Sequence, residues 1–167
     1  MLDRKNGLTI RGLETVRRDW CDVARELQHD VIRLVLTGKE KEAVAIVKKT
    51  IEKVKKRDVG LNDIAIRTQL GKQLNEYKQK APHIAVARQL QKEGHIIRQG
   101  TVVSYIITTG KGSISDRAKS IDMVTKNDYD VNYYVNNQII AVAFRVLSVL
   151  GYNEDDFTQD GFHKFMK

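Results

Sequence analysis

The stretch Arg11-Gly12-Leu13-Glu14-Thr15-Val16-Arg17-Arg18-Asp19-Trp20 lies where the pattern of the sequence changes. Before it, Asn6-Gly7 is a strong signal for a hairpin turn, and alternating apolar residues follow as in a strand. From Trp20 onward the apolar residues recur at helical spacing, and Gly38 is suited to end that helix. The sequence therefore predicts a β segment at residues 1–19 that leads into a helical body.

The remaining elements predict a helix-rich α+β fold. A second helix is predicted at 39–57, with a lysine-rich face of a kind that is usually just solvated. A short strand or extended segment is predicted at 64–66, and a helix should begin at Pro82 and run to Gly94. Residues 101–108 are β-branched and aromatic and predict a strand. A last helix is predicted from 130 to 150, with its stop at Gly151.

The net charge of the 167-residue chain is +8, which favours a polyanionic partner such as nucleic acid or an anionic membrane surface. This charge is unevenly distributed. Residues 153–167 hold four acidic and two basic residues, a net −2, which leaves +10 on the remainder. We therefore expect the body of the chain, and not its end, to bind phosphate.

Motifs of common enzyme sites are absent from the sequence. It has no zinc-ligand spacing, P-loop, dinucleotide fingerprint or nucleophile elbow. Gly110-Lys111-Gly112 predicts a surface turn, and Asp155-Asp156 lies in the acidic tail, where a solvated pair is commoner than a metal site. The single cysteine, Cys21, cannot form an internal disulfide, and no apolar run has the length of a membrane span. The expected location is the cytoplasm, without a membrane partner.

Basic residues stand repeatedly beside positions where the backbone is expected to turn. A nucleic-acid surface needs cations at the phosphates and rigid elements that set their register. The helix that begins at Pro82 would add free N–H groups in its first turn. The pattern favours phosphate binding without sequence specificity, carried by Lys72, Lys78, Lys80, Arg88, Arg98 and Arg117.

The last residues form a second distinct pattern, Q-x-x-Φ-x-x-Φ-Φ, in which Φ is a large apolar residue. Gln159 opens it, and Phe162, Phe165 and Met166 are its apolar anchors. Spacing of three places the two phenylalanines on one face of a helical turn. Such a peptide suits a hydrophobic pocket on a partner, and the alternative is a terminal turn that folds back on its own body.

Three stretches, in this order, resemble the C-terminal thumb region of archaeal family B DNA polymerases. They are residues 11–20, Tyr77-Lys78 with Pro82-His83-Ile84-Ala85-Val86-Ala87, and Tyr129-Asp130-x2-Tyr133-Tyr134-x3-Gln138. The resemblance spans roughly residues 3–152. It implies a short β-hairpin remnant of the palm at 1–19 and a DNA-binding thumb at 20–152. Gly71-Lys72 departs from the family pattern by the loss of a hydroxyl donor, which puts one phosphate contact in doubt, and Gln99 stands where a proline is usual.

The resemblance also implies which residues bind primer–template duplex through its backbone and minor groove. The basic members would neutralise phosphates, whereas Asp19 and Asp116 would hold neighbouring arginines in place, because a bare carboxylate is repelled by phosphate. Carried over residue by residue, the set is Arg17, Arg18, Asp19, Lys72, Tyr77, His83, Arg88, Arg98, Ser104, Asp116 and Arg117.

Catalysis would depend on another part of the polymerase. The family's catalytic aspartates bind two metal ions in the palm, which lies upstream of the matched region. This chain alone is therefore expected to be inactive and to have no cofactor of its own. Mg²⁺ is expected in the palm of a larger catalytic chain. The chain would be an excised fragment or the small subunit of a split polymerase. Residues 153–160 would be an acidic tether, and the terminal peptide would bind the sliding clamp. The alternatives are a stand-alone thumb-derived module that binds nucleic acid or the clamp without polymerase activity, and an inactivated remnant.

Overall fold

The computed structural model describes residues 2–3, 7–8 and 19–157. Its helices are α1 (Asp22–Leu36), α2 (Glu40–Lys55), α3 (Leu61–Ile64), α4 (Pro82–Lys92), α5 (Ile114–Arg117), α6 (Val131–Tyr133) and α7 (Ala141–Leu147). Its strands are β1 (Leu2–Asp3), β2 (Gly7–Leu8), β3 (Ile66–Gln69), β4 (Val102–Ile107) and β5 (Ala118–Ser120). The predicted helix-rich α+β class is confirmed. Among the described residues, no helix combines the length and apolar character needed to cross a bilayer.

Strands β1 and β2 form the predicted N-terminal hairpin, in an antiparallel register that pairs Leu2 with Leu8 and Asp3 with Gly7. This register leaves three residues between the strands and places Gly7 within β2. The hairpin signal at Asn6-Gly7 is therefore confirmed, with Gly7 as the first residue of the second strand.

Helices α1 and α2 form an antiparallel pair because each carries one apolar stripe. Leu27 and Val31 of α1 and Val47 and Ile51 of α2 are buried in a shared core. Gly38 connects the helices with a φ of 73°, a left-handed conformation that a residue without a Cβ adopts without strain. The predicted end of α1 is therefore confirmed.

The predicted strand at 64–66 is displaced. Ile64 ends the short helix α3, because its N–H and that of Asp63 both bond to the carbonyl of Gly60 at 3.1 Å. The strand β3 begins only at Ile66. Local turn hydrogen bonds thus override the β propensity of the apolar residues before it.

Strand β4 is the centre of a three-stranded antiparallel sheet, in the order β3-β4-β5. Tyr105 lies opposite Ile66 on one side and opposite Ser120 on the other. Tyr105 and its neighbour Ile106 point to opposite faces and are both buried, so both faces of the sheet are covered at this point. Helix α4 packs against β4 and β5 and begins at Pro82, as predicted.

The last predicted helix is present but is not uniform. Residues Tyr134–Ile140 between α6 and α7 are π-helical, and the helix ends before Gly151, whose φ is 86°. Gln138 within this segment accepts a hydrogen bond from the Cys21 N–H at 3.0 Å and donates one to the Asp19 carbonyl at 3.0 Å. The bond to Asp19 thus joins the first and third stretches of the family resemblance directly.

The acidic tail remains part of the body for longer than the sequence predicts. Residues Glu154–Phe157 form a short 3₁₀ turn that contacts α2, and the Phe157 side chain is only 2% exposed. The rings of Phe157 and Tyr152 lie 6.4 Å apart. An apolar anchor thus holds the chain to the body as far as residue 157, while the boundary at 153 stays a prediction.

Cys21 precedes α1 and is fully buried, which raises the pKa of its thiol to about 12. The neutral thiol is a poor nucleophile. We expect iodoacetamide at mildly alkaline pH to leave the folded protein unmodified and to alkylate Cys21 rapidly once denaturant is added. Mass spectrometry checks this. Rapid alkylation without denaturant would show instead that the start of α1 opens readily.

Candidate nucleic-acid interface

Two loops at one end of the sheet are held together by paired hydrogen bonds. Beyond the last pairs of β3 and β4, the Leu70 N–H bonds to the Thr101 carbonyl at 2.9 Å, and the Gly100 N–H bonds to the Leu70 carbonyl at 2.8 Å. The side-chain amide of Gln99 donates to the Gly71 carbonyl at 3.0 Å, and that of Gln69 donates to the Gly100 carbonyl at 3.1 Å. These bonds bring together the segments that carry Lys72 and Arg98.

Tyr77 organises the side chains beside these loops. Its hydroxyl accepts a hydrogen bond from the Gly71 N–H at 2.9 Å, and the Lys72 ammonium lies 5.0 Å from the centre of its ring. The His83 ring meets the Tyr77 ring edge to face at 6.1 Å, and Arg88 Nη2 donates to the Tyr77 carbonyl at 2.8 Å. We call Lys72, Tyr77, His83, Arg88 and the adjoining Arg98 the Tyr77 cluster; all five are sequence-predicted site residues.

The Tyr77 cluster carries uncompensated positive charge. No described carboxylate forms an ion pair with Lys72, Arg88 or Arg98. Burial lowers the pKa of the His83 imidazole, so this ring is neutral at pH 7 and acts as a hydrogen-bonding group. The cluster thus offers three cations: Lys72 over the Tyr77 ring, Arg88 on α4 against the Tyr77 carbonyl, and Arg98 on the paired loop. Cations on such rigid elements suit backbone phosphates.

Contrary to the prediction, Asp116 does not hold Arg117 in place. Its carboxylate accepts hydrogen bonds from the N–H of Ser113 at 3.0 Å and from the Ser113 hydroxyl at 2.6 Å, and it pairs with the Lys80 ammonium. The hydrogen bonds from Lys80 and Ser113 hold the pKa of Asp116 well below its usual range. Asp116 therefore caps α5 and ties it to the segment that precedes α4.

Arg117 is paired inside the fold. Its guanidinium bonds to the Asp130 carboxylate and, through Nη1, to the Thr108 carbonyl at 3.2 Å. The side chains of Arg117 and Asp130 are only 16% and 17% exposed. This geometry favours a structural role for Arg117 over the predicted phosphate contact, because its charge is already neutralised.

Ser104 and Asp19 lie apart from the Tyr77 cluster. Ser104 is half-buried in β4 opposite Arg67, whose guanidinium pairs with Asp22 at 2.6 Å. Asp19 is exposed, and its backbone carbonyl bonds to Gln138. The predicted contact of its carboxylate with neighbouring arginines falls partly outside the described residues, as do Arg17 and Arg18 and the terminal anchors Gln159, Phe162, Phe165 and Met166.

The model of the family described as DNA polymerase family B matches residues 2–150 of the chain. The chain belongs to DNA polymerase family B. A DNA polymerase of Thermococcus sp. (strain 9oN-7) is 42% identical over 159 residues, which cover 93% of this chain and 20% of the relative. The DNA polymerase of Thermococcus kodakarensis is also 42% identical over 159 residues, 93% of this chain and 10% of the relative.

A solved structure supports the same membership. The family B DNA polymerase from the hyperthermophilic archaeon Pyrobaculum calidifontis is similar with a TM-score of 0.72 at 36% identity, over 81% of this chain and 18% of that chain. The chain therefore spans about a fifth or less of the length of these family B relatives.

Sequence reasoning missed two residues that position this candidate interface. Gln69 and Gln99 bridge the two loops, whereas the sequence marks Gln99 only as a departure from the family pattern. No local pattern identifies either residue, because both bonds depend on the register of β3 and β4. Lys80 was counted as a cation beside a turn, but its charge is paired with Asp116.

Proposed function

We propose that this chain is the DNA-binding thumb part of a family B DNA polymerase and that it binds primer–template duplex through the phosphate backbone. The observation that carries this proposal is the Tyr77 cluster, with three cations that no described carboxylate pairs: two on loops that are fixed to each other and one on α4. Its members supply charge and hydrogen-bond donors without an arrangement suited to base edges, so binding should be independent of sequence.

Each residue of the cluster has a distinct part in this proposal. Lys72 and Arg98 would bind phosphates from the paired loops, and Arg88 would bind one from the outer face of α4. Tyr77 would hold Gly71 and Arg88 in place, since its hydroxyl and carbonyl bond to them. Arg17, Arg18 and Ser104 stay predicted contacts outside this cluster.

We further propose that nucleotide transfer requires a larger catalytic chain, with Mg²⁺ held in its palm, and that this chain alone is inactive. The support is the family membership together with the share of the relatives that this chain spans. In the described part of the chain, no three His, Cys, Asp or Glu side chains are grouped so that they could hold a metal ion.

The proposal is tested by co-purification with the organism's family B catalytic chain and by primer extension with and without this protein. Fluorescence anisotropy with two unrelated duplex sequences should give equal affinities that fall steeply with salt, because bound phosphates release counterions. Binding that barely changes with salt would contradict the proposal. Duplex binding without association or stimulated extension would favour the stand-alone module.

We also propose that the terminal peptide binds the sliding clamp. Replacing Phe162 and Phe165 together with Ala should abolish clamp-stimulated long synthesis and leave short synthesis at low salt nearly unchanged, since the anchors would fill a pocket on the clamp. Primer extension with and without the clamp measures both. His163→Ala is the control within the same peptide and should keep the stimulation. An equal loss of short synthesis would instead mean that the tail is structural.

A further inference from the structure

A cleft lies beside the Tyr77 cluster, between the 3₁₀ turn Leu74–Glu76, the outer face of α4 and the segment before Arg98. Its volume is about 470 Å³, within the range of about 300–1,000 Å³ that is usual for small-molecule sites. The residues that line it are Gln73, Leu74, Asn75, Arg88, Gln91 and Ile97.

The lining combines an apolar surface with carboxamides that are free to bind a ligand. Leu74 is 5% exposed and Ile97 is half-buried. None of the side-chain amides of Gln73, Asn75 and Gln91 forms a hydrogen bond with another described residue. Each carboxamide offers a donor and an acceptor at a fixed spacing, which is the complement of the edge of a nucleobase.

One cation and no carboxylate line the cleft. Arg88 is in the lining, and its bond to the Tyr77 carbonyl fixes one side of its guanidinium. Lys72 directly precedes Gln73, and Arg98 directly follows Ile97. A ligand with a planar, neutral, hydrogen-bonding part and an attached anion fits this distribution, whereas a cationic ligand does not.

We propose that the cleft binds one unpaired nucleotide, with its base against Leu74 and Ile97 and its phosphate at Arg88. The base edge bonds to the carboxamides of Asn75 and Gln91. This inference rests on the proposed function, because a strand held by Lys72 and Arg98 would bring an unpaired nucleotide to the cleft. The nucleotide comes either from such a strand or from free solution, and the two sources share one chemistry.

The test uses the full chain and three probes: a paired hairpin duplex, the same duplex with one unpaired 2-aminopurine, and free 2′-deoxyadenosine 5′-monophosphate. We expect the unpaired base to increase affinity about tenfold over the paired duplex, the scale of one good hydrogen-bonded contact to a base edge. The Leu74 and Ile97 methyl resonances should shift on binding. Shifts with the extrahelical base alone assign the strand as the source, and saturable shifts with the monophosphate assign the free nucleotide.

Variants identify the cleft as the site. Asn75→Ala combined with Gln91→Ala should remove the preference for the unpaired base and leave paired-duplex affinity unchanged. Gln91→Glu should also remove the preference, because it replaces a donor with a negative charge, and that charge should weaken paired-duplex binding as well. Asn137→Ala, an exposed amide on the last helix, is the control and should keep the preference.

Two failures are distinguishable in these titrations. Equal affinity for both duplexes, with no methyl shifts from any probe, would overturn the cleft proposal. The proposed function would still stand in that case if binding of the paired duplex depends on salt. Loss of the preference in Asn137→Ala as well would also overturn the assignment to the cleft. Absence of salt-dependent binding to the paired duplex would overturn the proposed function itself.

Discussion

Replacing Asp130 with Ala is expected to lower the free energy of unfolding by about 2 kcal/mol, less than the cost of about 3–5 kcal/mol for removing one partner from a fully buried ion pair, because this pair is only partly buried. The Asp130 carboxylate bonds to Arg117 and also accepts a hydrogen bond from the Tyr133 N–H at 3.0 Å, which caps α6. Its loss leaves the mostly buried Arg117 guanidinium with only the Thr108 carbonyl. Urea unfolding, followed by circular dichroism, measures the change.

The matched control is Asp116→Ala. This carboxylate also caps a short helix and pairs with a cation, but it is exposed to solvent, where water replaces most of what is lost. We expect a much smaller effect on unfolding. Similar losses in the two variants would mean that helix capping, rather than the buried pair, accounts for the stability.

The pair of Asp130 and Arg117 should also make the free energy of unfolding depend on pH. Burial by itself would raise the pKa of Asp130, but the hydrogen bonds from the Tyr133 N–H and Arg117 outweigh it, so the pKa lies below the ordinary value of about 3.9. A lowered pKa in the folded state stabilises the protein above the unfolded pKa and loses this contribution as pH falls through the folded value. The difference in stability between wild type and Asp130→Ala should therefore shrink as pH falls below about 4.

Helix positions follow from the sequence, because their signals are local. Apolar spacing and Gly38 are enough to place α1, and Pro82 begins α4 as its fixed φ favours. The π-helical segment Tyr134–Ile140 has no such signal, since the sequence contains neither Gly nor Pro there. The displacement of the predicted strand at 64–66 also has no signal in the sequence. The hydrogen bonds to the Gly60 carbonyl compete with β propensity, and composition does not reveal them.

Membership of the Tyr77 cluster was predictable residue by residue, whereas its geometry was not. Lys72, Tyr77 and Arg98 each lie in a recognisable stretch, but Gly71 and Gln99 meet only because β3 and β4 pair in one register. Arg117 illustrates the converse. Its position beside a turn predicts a phosphate contact, but the fold brings it to Asp130, and a charge paired in the interior is not available to DNA.

Replacing Lys72, Arg88 and Arg98 together with Ala is expected to weaken duplex binding on the order of a hundredfold at about 0.1 M salt, because each phosphate contact releases close to one counterion. The slope of log affinity against log salt should become shallower by about 0.9 for each contact, or roughly 2.7 for three. The loss should be the same for unrelated sequences, since no base edge is read. Anisotropy titrations at several salt concentrations measure both the affinity and the slope.

The decisive control is a second triple variant, Lys41→Ala, Lys53→Ala and Lys55→Ala, on the exposed side of α2. Each triple variant lowers the formal net charge from +8 to +5, so long-range attraction falls by a similar amount in both. Only the first removes cations that the paired loops and Tyr77 hold in position. A slope that changes in the first variant and not in the second assigns the phosphate contacts to the Tyr77 cluster. Equal losses in both would mean that net charge alone governs binding, because a positioned contact and a diffuse field differ in how many counterions they release.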